Sequence, residues 1–185
     1  MDEKKLFLER LYIKPSSKMA KILLILGFIL SIAIIPVMQY FTQLSGFPAN
    51  FIISQLSFNG EIMKSYYSIT NIELYRISPS LDYIFMLGYG LVLFSSSLLI
   101  ARTYEKSSLA SRIVRIIAIF GIIAAIFDGI ENIFILAMLM DPLAFPNALA
   151  VLHSVFALIK WIIIFISVPG LIITGGISLY NKRKK

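Results

Sequence analysis

The sequence has no cysteine. Disulfides, thiolate nucleophiles and thiolate metal sites are therefore excluded. It has one histidine and one tryptophan, and only 15% of its 185 residues are charged. A soluble domain of this length cannot hide a 58% apolar content in its limited core. No Asn-x-Ser/Thr acceptor occurs, and there is no internal repeat or low-complexity segment. Acidic residues are scarce beside basic ones, and the formal net charge is +7. In a soluble chain that excess would point to nucleic acid. Here the charges lie at the ends of apolar blocks, so membrane topology accounts for them and nucleic acid is not an expected partner.

What the sequence does have is four long apolar blocks. They predict spans over about 22–41, 79–101, 113–139 and 147–170. Blocks of about 20 residues match a hydrocarbon layer of ~30 Å at ~1.5 Å per helical residue. A soluble bundle of four buried helices is the rival reading. It fails because several blocks run past about 18 residues with almost no charge. A signal peptide is a rival for the first block alone. That block is too long for a signal core, and no small-x-small cleavage pattern follows it. The fold class expected is all-α: a polytopic membrane four-helix bundle, 1–185 as one membrane domain, with a partly helical extracytoplasmic loop over 42–78.

Local signals refine these bounds. Leu6, Leu8, Leu11 and Tyr12 suit a short surface helix ending near Pro15. Pro36 is expected to kink the first span or end its regular hydrogen bonding. The 42–78 loop is rich in aromatics, and Ile62, Met63, Tyr66 and Tyr67 have helical spacing. Asn59 suits the cap of that helix, with Glu61 in its first turn. One or two short helices are expected to lie on the bilayer surface or over the bundle mouth. Ser78-Pro79 reads as the start of the second span, with Ser78 as cap. The fourth block continues to about Tyr180, and Pro169-Gly170 and Gly175-Gly176 are expected to kink or fray it.

Charge sets the orientation. Lys and Arg gather in the N-terminal segment, in the 102–115 connection and in the tail. By the positive-inside rule these three face the cytoplasm, and both termini of a multi-pass cell-membrane protein lie there.

The polar residues inside the spans are the candidate site. A charge within a span costs a few kcal/mol on insertion scales, so it needs a partner or a function. The third span carries Asp128, Glu131 and Asn132 at i, i+3 and i+4, all on one face. Gly121, Ala124 and Ala125 continue that face as a packing stripe. The fourth span carries His153 and Lys160, seven apart on one face. Asp128 and Lys160 lie at about 16 and 19 Å from the outer surface, and Glu131 and His153 at about 12 and 9 Å, at ~1.5 Å per residue. The second span adds Asp82 near its outer end, with Tyr89 and Ser96 on the same seam. The ligand-binding candidates are therefore Asp82, Tyr89, Asp128, Glu131, Asn132, His153 and Lys160. Two carboxylates and an imidazole form an acceptable metal set, but one His, no Cys and a nearby Lys argue against a metal. Ser95-Ser96-Ser97 and Gly88-x-Gly90 read as helix-packing surface. Trp161 lies too deep for an interfacial anchor and is expected to pack in the bundle or against lipid.

Leu81-Asp82-Tyr83 with Gly88-Tyr89-Gly90, Phe127-Asp128-x-x-Glu131-Asn132 and Lys160-Trp161 together resemble an uncharacterised family of small prokaryotic four-helix membrane proteins. The resemblance covers roughly residues 20–170. It implies the same fold and no established activity or cofactor.

Three functions fit this pattern. The leading one is an outward-facing intramembrane pocket that binds or transports a small ligand, ion or lipid. Four helices are few for a transporter, so that reading expects a homo-oligomer. The second is an accessory subunit whose buried charges only hold the bundle together. The third is a small membrane enzyme using Asp128, Glu131 and His153 as acid–base groups. Pocket geometry separates them.

Overall fold

The structure, a computed structural model, describes residues 3–184, with side chains from Phe7 onward. Among them the helices are α1 (Glu3–Ile13), α2 (Ser17–Leu44), α3 (Phe51–Gln55), α4 (Gly60–Tyr67), α5 (Ile72–Ala101), α6 (Leu109–Met138) and α7 (Asn147–Arg183). No strand occurs among the described residues. Four of the helices, α2, α5, α6 and α7, have the length and apolarity of membrane spans. The protein is a multi-pass all-α membrane bundle.

Caps begin three of the four spans. The side chains of Ser16, Asn71 and Ser108 accept hydrogen bonds from Met19, Leu74 and Ser111 N–H groups. Each satisfies one of the donors that a helix start leaves free. The Asn71 cap corrects the expectation for the second span. Asn71, not Ser78, starts α5, and Pro79 lies inside the helix. Glu73 and Arg76 pair at 3.3 Å across the first turns. Arg76 also donates to the carbonyl of Leu139 at the far end of α6. A proline inside a membrane helix is tolerated where neighbouring helices and hydroxyls compensate. Here Ser78 is buried and accepts from Thr42 of α2 at 2.9 Å. Pro36 likewise sits inside α2 without ending it. Helix α7 runs unbroken past Pro169-Gly170 and Gly175-Gly176.

The spans pack in chain order, α2 on α5, α5 on α6 and α6 on α7, while α5 and α7 meet only briefly. The outlying helices α2 and α7 present Ile25, Ile29, Ile32, Phe165, Ile166 and Ile172 outward, as a lipid-facing surface requires. Glycine sets the α2–α5 crossing. A Cβ on Gly88 would lie 2.9 Å from the Ser31 nitrogen, and one on Gly27 would lie 2.7 Å from the Gly88 carbonyl oxygen. Ser95 and Ser97 are fully buried along α5, as their packing role predicts.

The two ends of the bundle differ. At the basic end, which holds α1, the 102–108 connection and the tail, two arginines tie α1 down. Arg115 donates to the carbonyls of Leu8, Lys106 and Ser111. Arg102 donates to the carbonyls of Tyr12 and Pro15 and to Ser17. At the opposite, loop end, Phe47 stacks on Tyr75 at 4.3 Å, and Met63, Tyr67, Met138, Leu139 and Phe145 close an apolar cap.

The loop does not simply cover this cap. After Phe47 it descends into the bundle beside α7. Trp161 donates to the buried Gln55 of α3 at 2.8 Å, and Lys160 Nζ lies 5.7 Å from the Phe51 ring centre. The chain then climbs back. The Phe58 N–H reaches Ser154 Oγ at 3.0 Å, and the Gly60 N–H reaches Asn147 Oδ1 at 2.6 Å. From Asn147 to Lys160 along α7 is roughly 20 Å at ~1.5 Å per residue. Segment 47–60 is thus a re-entrant hairpin rather than a surface element. Irregular backbone at that depth is allowed only where it is buried in protein or lines a cavity. Here Ser154 and Asn147 accept from the Phe58 and Gly60 N–H groups, and Asn50 accepts from those of Ile52 and Ser54.

Candidate functional site

The polar residues of α5, α6 and α7 meet in the interior of the loop-end half. Asp82, Asp128, Glu131, Asn132, His153 and Lys160 are all buried, none more than 4% exposed. Lys160 Nζ bridges two carboxylates, Asp128 Oδ1 at 2.8 Å and Glu131 Oε2 at 2.6 Å. Asn132 donates to Asp82 Oδ2 at 2.7 Å. His153 Nδ1 lies 3.8 Å from Glu131 Oε1, too far for a hydrogen bond. Tyr89 stands two turns below Asp82 on α5, and its buried hydroxyl has no partner.

The expected depths of the α6 and α7 residues agree with this meeting, because Asp128 and Lys160 do pair. Asp82 corrects its own placement. It was expected near the outer end of its span. Because α5 starts seven residues earlier than Pro79, Asp82 lies roughly 10 Å deeper, at ~1.5 Å per residue. That shift brings it level with Asn132.

The cluster is not neutral within itself. Three carboxylates, Asp82, Asp128 and Glu131, face one ammonium, Lys160. Lys160 contacts Asp128 and Glu131 directly and Asp82 only at longer range, so the near neighbours of the Asp82 carboxyl are the Asn132 amide and the Asp128 carboxyl. Asp82 Oδ1 has no hydrogen-bond partner, and neither does Glu131 Oε1 or His153 Nδ1. Buried polar atoms are normally satisfied, so each orphan needs a reason.

Cavities reach part of the cluster. One of about 570 Å³ lies between α2, the hairpin and α5, and Asp82, Ser78, Thr42 and Phe85 line it. Its rim residues Ile35, Gln39, Gln43, Asn50 and Phe51 are exposed, so it opens on the flank of the bundle. A smaller one of about 60 Å³ continues inward past Asp82 to Asn132 and Ile135. On the other side of Phe51, a groove of about 260 Å³ runs between α5 and α7, with Tyr89, Asp128, Lys160 and Trp161 in its walls. Phe51 and Phe85 stand between the two larger cavities and line both. Glu131 and His153 line none of the three.

This separates the candidates. Asp82, Asn132, Tyr89, Asp128 and Lys160 border open space. Glu131 and His153 support them from behind. Among the described residues no three His, Asp or Glu side chains are placed to hold a metal. Lys160 occupies the position between Asp128 and Glu131 that a metal would need. Sequence reasoning missed the hairpin residues Phe51, Ser54 and Gln55. A short helix in this loop was expected, on the surface or over the mouth; its local sign is Asn50, which caps α3, and nothing local shows that it turns inward. Trp161, expected merely to pack, is the hairpin's hydrogen-bond anchor. Comparison of the chain with protein-family models, curated proteins and solved structures finds no match.

Proposed function

We propose that this protein binds a small amphipathic ligand, drawn from the bilayer, in the flank cavity between α2, the 47–60 hairpin and α5. One observation carries the reading: the buried, unpartnered carboxylate oxygen belongs to Asp82, a residue in the wall of a cavity open to the side. A volume of about 570 Å³ lies within the ~300–1,000 Å³ usual for small-ligand sites. The walls combine apolar Ile35, Met38, Phe51 and Phe85 with neutral hydrogen-bonding groups on Thr42, Gln39, Gln43 and Asn50. A ligand with a polar head and an apolar chain matches both. The Lys/Arg excess at the basic end supports an orientation with both termini in the cytoplasm of a cell-membrane protein. The cavity then opens in the outer half.

A purely structural cluster accounts for Lys160 between its two carboxylates. It leaves Asp82 Oδ1 without a role. An enzyme built on Asp128, Glu131 and His153 gains little support, because of the three only Asp128 borders a cavity.

Native mass spectrometry of the protein purified in a neutral detergent tests the reading. The wild type is expected to retain an amphiphile. Met38→Trp, which fills the cavity, is expected to lose it while keeping its helical content. A wild type that retains nothing, with added membrane lipids leaving both proteins equally stable, overturns it.

A further inference from the structure

The cavity's electrostatics specify the head of that ligand. The polar cluster holds three buried carboxylates against one ammonium, and both near contacts of Lys160 are to the other two. Asp82 has one oxygen on Asn132 and one on nothing. No Lys, Arg or His lines the cavity around it. A buried carboxylate without a counter-ion is among the least favourable arrangements in a membrane, so it is completed either by a proton shared with the adjacent Asp128 carboxyl or by a cation brought from outside. The walls say what kind. Apart from Asp82 the polar side chains there are neutral hydroxyls and amides, and the aromatic rings of Phe51 and Phe85 flank the space. Rings and a carboxylate together suit an organic cation, and the Phe51 ring already has one cation, the Lys160 ammonium, 5.7 Å from its centre. A bare metal ion would need several oxygen ligands in a fixed shell. The described residues place no such set here.

Resting on the ligand-binding reading above, we infer that the flank cavity takes an amphiphile with an organic ammonium head, which pairs with the free carboxylate oxygen of Asp82. The apolar chain leaves past Ile35 into the bilayer. The chain's overall net charge of +7 makes this discriminating. Non-specific attraction would favour anionic amphiphiles, so a preference for a cation has to come from the site.

The test uses the full-length protein in neutral-lipid nanodiscs and four probes with the same twelve-carbon chain. These are dodecyltrimethylammonium, dodecylphosphocholine, dodecyl sulfate and dodecyl maltoside, with retained binding read by native mass spectrometry. The ammonium probe is expected to bind at least tenfold more tightly than the other three. Asp82→Asn, which keeps an acceptor toward Asn132 but removes the charge, is expected to erase that preference. If all four probes bind alike, the ammonium assignment is overturned and the cavity remains an amphiphile site. This is also the result expected if a proton on Asp82 does the neutralising. If none binds, both readings fall. Should Asp82→Asn not fold, the head-group preference of the wild type decides by itself.

Discussion

The basic-end half and the loop-end half of the bundle solve the same problem in opposite ways. Both bury charged side chains. At the basic end, Arg115 is 3% exposed and gives its donors to three backbone carbonyls. Its neighbour Ser111 donates to the carbonyl of Ala101 at 3.1 Å. At the loop end, five ionisable groups meet, and four of their oxygen or nitrogen atoms are left without a hydrogen-bond partner, one of them, Glu131 Oε2, held only by the ion pair with Lys160. Open space lies at both ends, about 370 Å³ of it beside Arg115, but only at the loop end does it border polar atoms left without a partner. Complete pairing belongs to architecture. Incomplete pairing beside open space belongs to binding, because a site whose polar atoms are all internally satisfied has nothing to offer a ligand.

The largest expected effect breaks the comparison at Lys160. Lys160→Met leaves Asp128 and Glu131 buried without their ammonium, and removing one partner of such a pair typically costs about 3–5 kcal/mol. The thermal unfolding midpoint should fall sharply. Adding Asp128→Asn and Glu131→Gln should recover most of the loss, since the defect is one of charge. No recovery would mean that Lys160 acts through packing instead.

Arg115→Met gives the counterpart at the other end. Lost hydrogen bonds to a charged group are worth about 1.5–3 kcal/mol. The same unfolding measurement should show a smaller fall, and no single acid replacement should rescue it, because its partners are carbonyls. Amphiphile retention should be unchanged. A rescue by replacing Glu9, the acid of α1 whose charge acts on Arg115, or a loss of retention, would contradict the separation of the two halves.

The smallest effect concerns the hairpin that walls the site. Trp161→Phe removes the hydrogen bond to Gln55, and such a bond inside a membrane bundle averages only about 0.6 kcal/mol. Global stability should barely change. Hydrogen exchange over 51–58 should nonetheless rise relative to the 102–108 connection. Equal exchange in variant and wild type would show that the anchor does not hold the hairpin.

The number of spans was legible from Ile, Leu and Phe blocks alone, because a bilayer sets helix length and excludes unpaired backbone. The α6 triplet Asp128, Glu131 and Asn132 was legible too, because i, i+3 and i+4 share one face whatever surrounds them. The start of α5 was misread because Ser78-Pro79 is a good local start signal and Asn71 an equally good one. Sequence does not say which is used. The choice fell to tertiary contacts, since Arg76 reaches the Leu139 carbonyl and Ser78 the Thr42 hydroxyl only if the helix begins early. That choice then set the depth of Asp82.

Periodicity and hydrophobicity are properties of one element at a time, so the sequence determined the four spans, the polar faces on three of them and which residues carry charge. Partnership is a property of elements together. Only the tertiary structure decided that Lys160 serves Asp128 and Glu131, that Asp82 keeps a free oxygen, and that residues 47–60 turn inward. The hairpin has no strong periodicity of its own, and Gln55, Ser154 and Asn147 find it only because α7 stands beside it.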